Sequence, residues 1–424
     1  MKYSEMTREE LVEEKERLDQ EYKIWQGKGL SLDMSRGKPS TQQLDLSMGL
    51  LDILDGKSIM KCMNGVETRN YGGLEGIVEA RNLMAHIMDC EPQQVIVGGN
   101  SSLQLMFDAV ARGYMFGFGG CTPWCKLPKI KWLCPVPGYD RHFAITQHFG
   151  FEMINVPMKE DGPNMDIVEA LVAADDTIKG IWCVPKYSNP QGIVYSDEVV
   201  RRMANLKPAA KDFRIFWDNA YAVHHLTDEK CQILNILKEC ENADNPSLVF
   251  EFASTSKITF AGGGIAAIAC NNLNREELKK TMTVQTIGYD KVNMIRHARF
   301  FEQTTVEEHM ERHAALLKPK FDMVCATLDR DLAEPGVGSW INPKGGYFIT
   351  YEAPEGTASR IIELCNTCGV KLTAAGAPFP YHMDPRDSVI RFAPSLPPVE
   401  ELEAAANVFT LCARIATLEK MLLA

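Results

Sequence analysis

Between about residue 95 and residue 255, short apolar runs alternate with stretches whose apolar residues recur at helical spacing. Val95 to Val97 reads as a strand, and Leu105, Met106, Ala109 and Val110 then fall on one helical face. Lys131 to Val136, Ile178 to Val184, Arg214 to Trp217 and Leu248 to Phe252 read as further strands. Strands alternating with helices predict a mainly parallel sheet covered on both faces. Each run ends in polar or turn-forming residues: Gly98-Gly99-Asn100-Ser101-Ser102, Pro137-Gly138-Tyr139, Pro185, Asp218 and Ser254. Sheets of this class bind ligands beyond the carboxyl ends of their strands, so these endings mark the expected site.

The two ends of the chain follow other patterns. Thr7 and Glu10 make a capping box, Gly27 is a stop, and Leu11, Leu18, Tyr22 and Trp25 share a face of the helix between. After about Glu311 the alternation gives way to a hairpin or bent strand around Trp340 to Ile349. A helix near Ser359 to Cys368, a strand Val389 to Phe392 and a closing helix Glu400 to Leu423 follow. The expectation is an α/β fold. A large domain, 46–310, carries the parallel sheet, and a smaller α+β domain, 311–424, is completed by the arm and helix of 1–45. No repeat or low-complexity segment interrupts this.

Composition narrows the classes. The chain has 424 residues, of which 45% are hydrophobic, enough for a large core. Asp and Glu number 56 against 45 Lys and Arg, and the net charge of -11 argues against a general nucleic-acid binder. Met1 to Glu16 is highly charged and lacks the apolar run of a secretory signal. No stretch approaches the roughly 20 apolar residues of a membrane span, so a cytoplasmic location is expected. The 13 cysteines are scattered through apolar segments and read as reduced thiols. Cys365 and Cys368 form a CxxC without the second pair that a zinc site needs, and read as two helix positions; Cys121 and Cys125 read alike.

Five segments carry candidate chemistry, each with a plainer reading beside it. Ser254-Thr255-Ser256-Lys257 sets a lysine among hydroxyls just after a buried strand, where desolvation makes an amine nucleophilic; alone, a solvated loop lysine is the commoner case. Asp218 ends the apolar strand Ile215-Phe216-Trp217, placed to pair with a buried cation or simply to cap a helix, with Tyr221 three residues on. Asn189, in Asn189-Pro190-Gln191-Gly192, sits in a strong turn signal and offers an amide donor. Gly98 to Ser102 lies between a strand and a helix, where backbone amides and hydroxyls can cradle a phosphate. Arg391, inside an apolar strand, needs an anionic partner, either a substrate carboxylate or a structural salt bridge.

In this order and spacing, the segments resemble the fold-type-I pyridoxal-phosphate enzymes of the class I/II aminotransferase group, from about Ser31 to the C-terminus. Ser35-Arg36-Gly37-Lys38-Pro39 and Ser254 to Gly262 resemble more closely the divergent bacterial aspartate-aminotransferase subgroup, sometimes labelled MocR-like. About thirty residues precede the enzyme-like region, too few for the DNA-binding domain of the regulators that share the label. The resemblance implies pyridoxal 5'-phosphate as cofactor, carried by Lys257 as a Schiff base, with Lys257 also moving the substrate proton. It implies Asp218 at the pyridine nitrogen, Tyr221 and Asn189 at the ring oxygen, and Tyr139 stacked on the ring. Asn100, Ser101, Ser102 and Ser254 would line the phosphate cup, and Tyr71 would reach the phosphate of a second subunit, which requires a homodimer. Arg391, with the Gly37 backbone, would grip the substrate α-carboxylate. One position departs from the pattern: the arginine usual eight residues after the lysine is Ile265 here.

The expected reaction is ping-pong amino transfer between aspartate and 2-oxoglutarate. Other amino acids, aromatic or aliphatic, and β-decarboxylation remain alternatives on the same scaffold. A second substrate carboxylate needs a second cation, for which Arg36, Lys126, Lys186 and Arg141 are candidates and Arg36 is favoured by its closeness to the carboxylate site.

Overall fold

The computed structural model describes residues 1–423. Its centre is an eight-stranded sheet with the spatial order Val95–Val97, Ala266–Ala269, Val249–Ser254, Arg214–Asp218, Ile178–Cys183, Lys131–Val136, Glu152–Lys159, Gly162–Pro163. Ala266–Ala269 and Gly162–Pro163 run against the others, and the remaining strands share one direction. This is the mixed α/β architecture that the alternating pattern predicts.

Successive residues of each inner strand enter different cores, because side chains alternate across a strand. Leu133, Ile181, Ile215, Trp217 and Val249 face a mostly aliphatic core. Trp132, Cys134, Trp182, Phe216, Phe250 and Phe252 face a mostly aromatic one. There the Trp182 ring lies 5.2 Å from Trp132 and 4.9 Å from Phe216, centroid to centroid. With both faces apolar, the strands must be covered twice, and helices do so. Ala266–Ala269 is fully buried, but its run of alanines carries no strand signal, which is why the pattern misses it.

A third core holds the ends of the chain together. Leu11 and Leu18 of the helix Arg8–Gln26 pack with Leu402, Val408 and Phe409 of the helix Val399–Leu423, and with Ile390 and Phe392. A three-stranded antiparallel sheet, Ser339–Trp340, Ile349–Glu352 and Val389–Phe392, forms its floor. Leu32–Asp33 pairs with Val370–Lys371 and so pins the arm that carries Arg36 and Gly37. The helix Val306–Leu328 begins in the aliphatic core with Val306 and Met310 and ends in the third with Phe321 and Val324. The change of character read near residue 310 therefore falls inside one continuous helix, not in a linker. Cys365 and Cys368 are buried on and just after the helix Ala358–Thr367. No helix among the described residues is long and apolar enough to cross a membrane.

Candidate active site

At the carboxyl ends of the central strands lies a cavity of 220 Å³, lined by Ser101, Ser102, Tyr139, Arg141, Asn189, Asp218, Tyr221, Ser254, Ser256 and Lys257 among others. Asp218 closes its strand and is only 3% exposed. One carboxylate oxygen, Oδ2, is 2.9 Å from His142 Nε2, while Oδ1 is buried without a hydrogen-bond partner. The His142 ring is itself held flat on Trp182, 4.6 Å between centroids. A buried acceptor left unpaired is costly, and it marks a place for a donor from outside the chain.

Lys257 follows the neighbouring strand Val249–Ser254 by three residues. Its Nζ is 5.0 Å from the centre of the Tyr221 ring. Burial pulls its pKa below that of an ordinary lysine, and the Asp218 carboxylate opposes part of that shift. The neutral amine is thus available at lower pH than for a solvated lysine. Burial also pushes the Tyr139 phenol up to about 12 and the Tyr221 phenol well up, so both rings are protonated donors at neutral pH.

A wider chamber of 910 Å³ opens from the same residues towards the arm and the third core. Arg36, Gly37, Tyr139, Asp140, Arg141, Asn189, Tyr221, Lys257, Thr373 and Arg391 are on its walls. Arg391 reaches it from the strand Val389–Phe392. Its Nη1 donates to Asp140 Oδ1 at 3.0 Å and to Asn189 Oδ1 at 3.2 Å, its Nη2 reaches Thr373 Oγ1 at 3.4 Å, and its Nε has no partner. The guanidinium lies over the Phe348 ring, 4.8 Å from its centre. Gly37 is pressed against that ring from the arm: a Cβ there would sit 2.4 Å from Phe348 Cζ. The close approach of the arm therefore demands glycine.

Most of the residues singled out in the sequence meet here, and four candidate positions do not. Asn100 is exposed, and only its backbone carbonyl takes part, accepting from Ser256 Oγ at 3.2 Å. Tyr71 is 83% exposed and far from lining either chamber. Lys126 lies in the turn Trp124–Lys126, off both chambers. Lys186 is buried in a separate cavity, where its Nζ donates to the Ala222 carbonyl at 2.7 Å. Ile265, where an arginine is usual, is buried, and its backbone exchanges bonds with Thr255. His142 is a further site residue that the strand-end pattern does not mark. The available signal was the run Tyr139-Asp140-Arg141-His142, whose members respectively border the cavity, bind Arg391, border both chambers and bind Asp218.

These residues fit pyridoxal phosphate. The unpaired Asp218 oxygen suits a cationic ring N–H, and Lys257 stands across the cavity as the amine. Four serines, Ser101, Ser102, Ser254 and Ser256, with the N-terminus of the helix Ser102–Phe116, suit a phosphate.

Comparison with known proteins places the chain in a family. Residues 6–423 match the family described as aspartate amino-transferase. An aspartate aminotransferase of Corynebacterium glutamicum is 48% identical over 394 residues, covering 92% of this chain and 91% of that protein. The crystal structure of an aspartate transaminase from the same species superposes with a TM-score of 0.96 at 45% identity, covering 99% of each chain. At 18% identity, an α-aminoadipate aminotransferase from Thermus thermophilus, solved with N-(5'-phosphopyridoxyl)-L-leucine, shares the fold with a TM-score of 0.73 over 92% of this chain and 93% of that one.

Proposed function

The chain belongs to the aspartate amino-transferase family, and on that footing we propose that it moves the amino group of L-aspartate to 2-oxoglutarate with pyridoxal phosphate held at Lys257. That it is an aminotransferase follows from the family. The observation that carries it is the unpaired Oδ1 of Asp218 in the same cavity as the desolvated Lys257 amine.

When bound, pyridoxal phosphate supplies a ring that takes up the electron pair released at the substrate Cα. Asp218 Oδ1 would hold the ring nitrogen protonated, and His142 holds Asp218 in place through Oδ2. Lys257 Nζ, with its lowered proton affinity, accepts the Cα proton. Tyr221 and the Asn189 amide would donate to the ring oxygen, and Asn189 is aligned by its oxygen's bond to Arg391. Arg391 takes the substrate α-carboxylate with its spare Nε and weakly held Nη2, which fixes the Cα proton near Lys257.

The distal carboxylate of aspartate falls to Arg36 and Arg141, the candidates that border the wide chamber; Lys126 and Lys186 do not. Replacing either with Gln should cost more with aspartate than with alanine, and equal losses would remove that role. We also take the active unit to be a homodimer. Tyr71, Ile59 and Met63 are exposed on a segment that rests on Lys291 and Arg299, which leaves an apolar face for a second copy. The test of the whole reading is the absorption spectrum during titration with L-aspartate. A yellow protein that bleaches, then recovers with 2-oxoglutarate, is expected. Indifference to aspartate would overturn the substrate, and failure to take up pyridoxal phosphate would overturn the cofactor.

A further inference from the structure

The loop that carries Lys257 is a single turn. The Ile258 and Thr259 amides both bond back to the Thr255 carbonyl, and the chain then breaks into Gly262-Gly263-Gly264. The carbonyls of Lys257 and Ile258 thus resemble those at a helix end and receive no backbone N–H among the described residues. Side chains take their place. Lys257 O is 3.3 Å from His224 Nε2 and 3.4 Å from the Tyr347 hydroxyl. Ile258 O is 2.8 Å from His309 Nε2.

The hydrogen bonds fix the tautomers around Ile258. A carbonyl only accepts, so His309 carries its proton on Nε2; its Nδ1 has no partner. Gln43 Oε1 accepts from the Ser40 amide, so Gln43 Nε2 is the donor, given to the Tyr347 hydroxyl at 2.9 Å and to His313 Nδ1 at 3.2 Å. His313 Nδ1 is therefore bare. Burial keeps that ring neutral, with its pKa pushed down to about 4, so its proton is also on Nε2. The two Nε2 atoms are 3.2 Å apart, so the His313 ring backs the His309 ring that bonds the Ile258 carbonyl. Both histidines are buried, one turn apart on the helix Val306–Leu328, and the His309 ring is walled by Phe300 and Phe301.

We propose that His309 and His313 are positioning residues for Lys257: His309 ties the Ile258 carbonyl to the helix that joins the two large cores, His313 holds the His309 ring from one turn away, and together they set the direction in which the lysine enters the cavity. Through the Tyr347 hydroxyl, Gln43 reaches the preceding carbonyl, Lys257 O, so the arm that carries Arg36 and Gly37 is wired to the same loop. The inference rests on Lys257 being the cofactor lysine.

Asparagine and glutamine distinguish this role from simple packing. The Gln amide places its N–H where Nε2 stands, and the Asn amide where Nδ1 stands. In the pyridoxal-phosphate-loaded enzyme we would compare His309→Gln with His309→Asn, and His313→Gln with His313→Asn. The first readout is the pH at which the cofactor absorption changes, and the second is kcat against KM. The Asn variants should move that pH and lower kcat on the order of tenfold, with KM changed much less, because the lysine is misdirected and the substrate is still held. The Gln variants should stay near the parent. Equal behaviour of Asn and Gln, or a fall in thermal stability with the absorption midpoint unmoved, overturns the proposal. Gln43→Met keeps both rings and removes the donor shared by His313 Nδ1 and the Tyr347 hydroxyl, together with the acceptor of the Ser40 amide. It should move the midpoint the same way, and no movement likewise overturns the proposal. A parent protein that takes up no cofactor at all would instead refute the assignment of Lys257.

Discussion

Two lysines lie on opposite sides of one stretch of backbone, and they make different use of the same burial. Asp218, Ala220 and Tyr221 line the 220 Å³ cavity with Lys257, while Asn219 and Ala222 line a second cavity with Lys186. Burial lowers the pKa of both amines, that of Lys186 to about 8. Lys186 is satisfied by a carbonyl, Ala222 O, and no acid is within salt-bridge reach among the described residues. Lys257 Nζ makes no hydrogen bond among the described residues and looks across an open cavity at a carboxylate with a free oxygen. A perturbed lysine is therefore not by itself a catalytic one. What separates the two is a reachable volume and an unpaired partner beside it.

The sharpest break of that comparison is Lys257→Ala. Proton transfer alone is worth roughly 10²–10⁴-fold, and on the proposed assignment this variant also loses the amine that would hold the cofactor. Turnover should fall by more than about 10⁴-fold. Single-turnover assays with aspartate check it, and near-parental rates would hand the role to some other amine, with Lys186 the first to be examined.

A smaller loss is expected at the mouth. Arg391→Lys keeps the charge but not the planar fork that now serves Asp140, Asn189 and Thr373 at once. Hydrogen bonds to charged groups are worth about 1.5–3 kcal/mol, so kcat/KM should drop on the order of a hundredfold. The loss should be equal for aspartate and alanine, since the α-carboxylate is common to both. A loss confined to aspartate would move Arg391 to the distal carboxylate.

The difference between the lysines also shows where the sequence was readable. Strand ends were: Asp218, Ser254 and the turn before Tyr139 could be placed because an apolar run has a visible end. The expected strands are present in the sheet, and Lys257, Asp218, Tyr221, Asn189 and Arg391 meet around the two joined chambers. The pattern does not say which way a side chain turns after the strand stops. Lys186 and Asn189 lie three residues apart in one loop and face different cavities. His142 was hidden for a related reason: a histidine two residues into a helix gives no sign that it lies under a strand two places away in the sheet. The histidines on the helix Val306–Leu328 act on a loop about fifty residues earlier, a pairing that only the folded chain creates.

The finest test uses Lys186 itself, through stability. Its pKa is about 8 in the folded protein against an ordinary value of 10.5, so the unfolded chain binds more protons between those limits. The sign follows. Below about pH 8 the folded state carries a buried charge, and the full penalty applies; as pH rises towards 10.5 both states lose the proton and the penalty disappears. Lys186→Met removes the charge and fits an apolar stem into the same space, although it leaves Ala222 O without its donor. That lost bond is a constant offset, whereas the charge penalty varies with pH. The melting temperature of the Met variant relative to the parent should therefore be highest near pH 7 and decline steadily towards pH 10, measured on the cofactor-free protein so that Lys257 is in the same state in both. A difference flat across that range would mean that Lys186 titrates as an ordinary lysine, and the contrast would then rest on geometry alone.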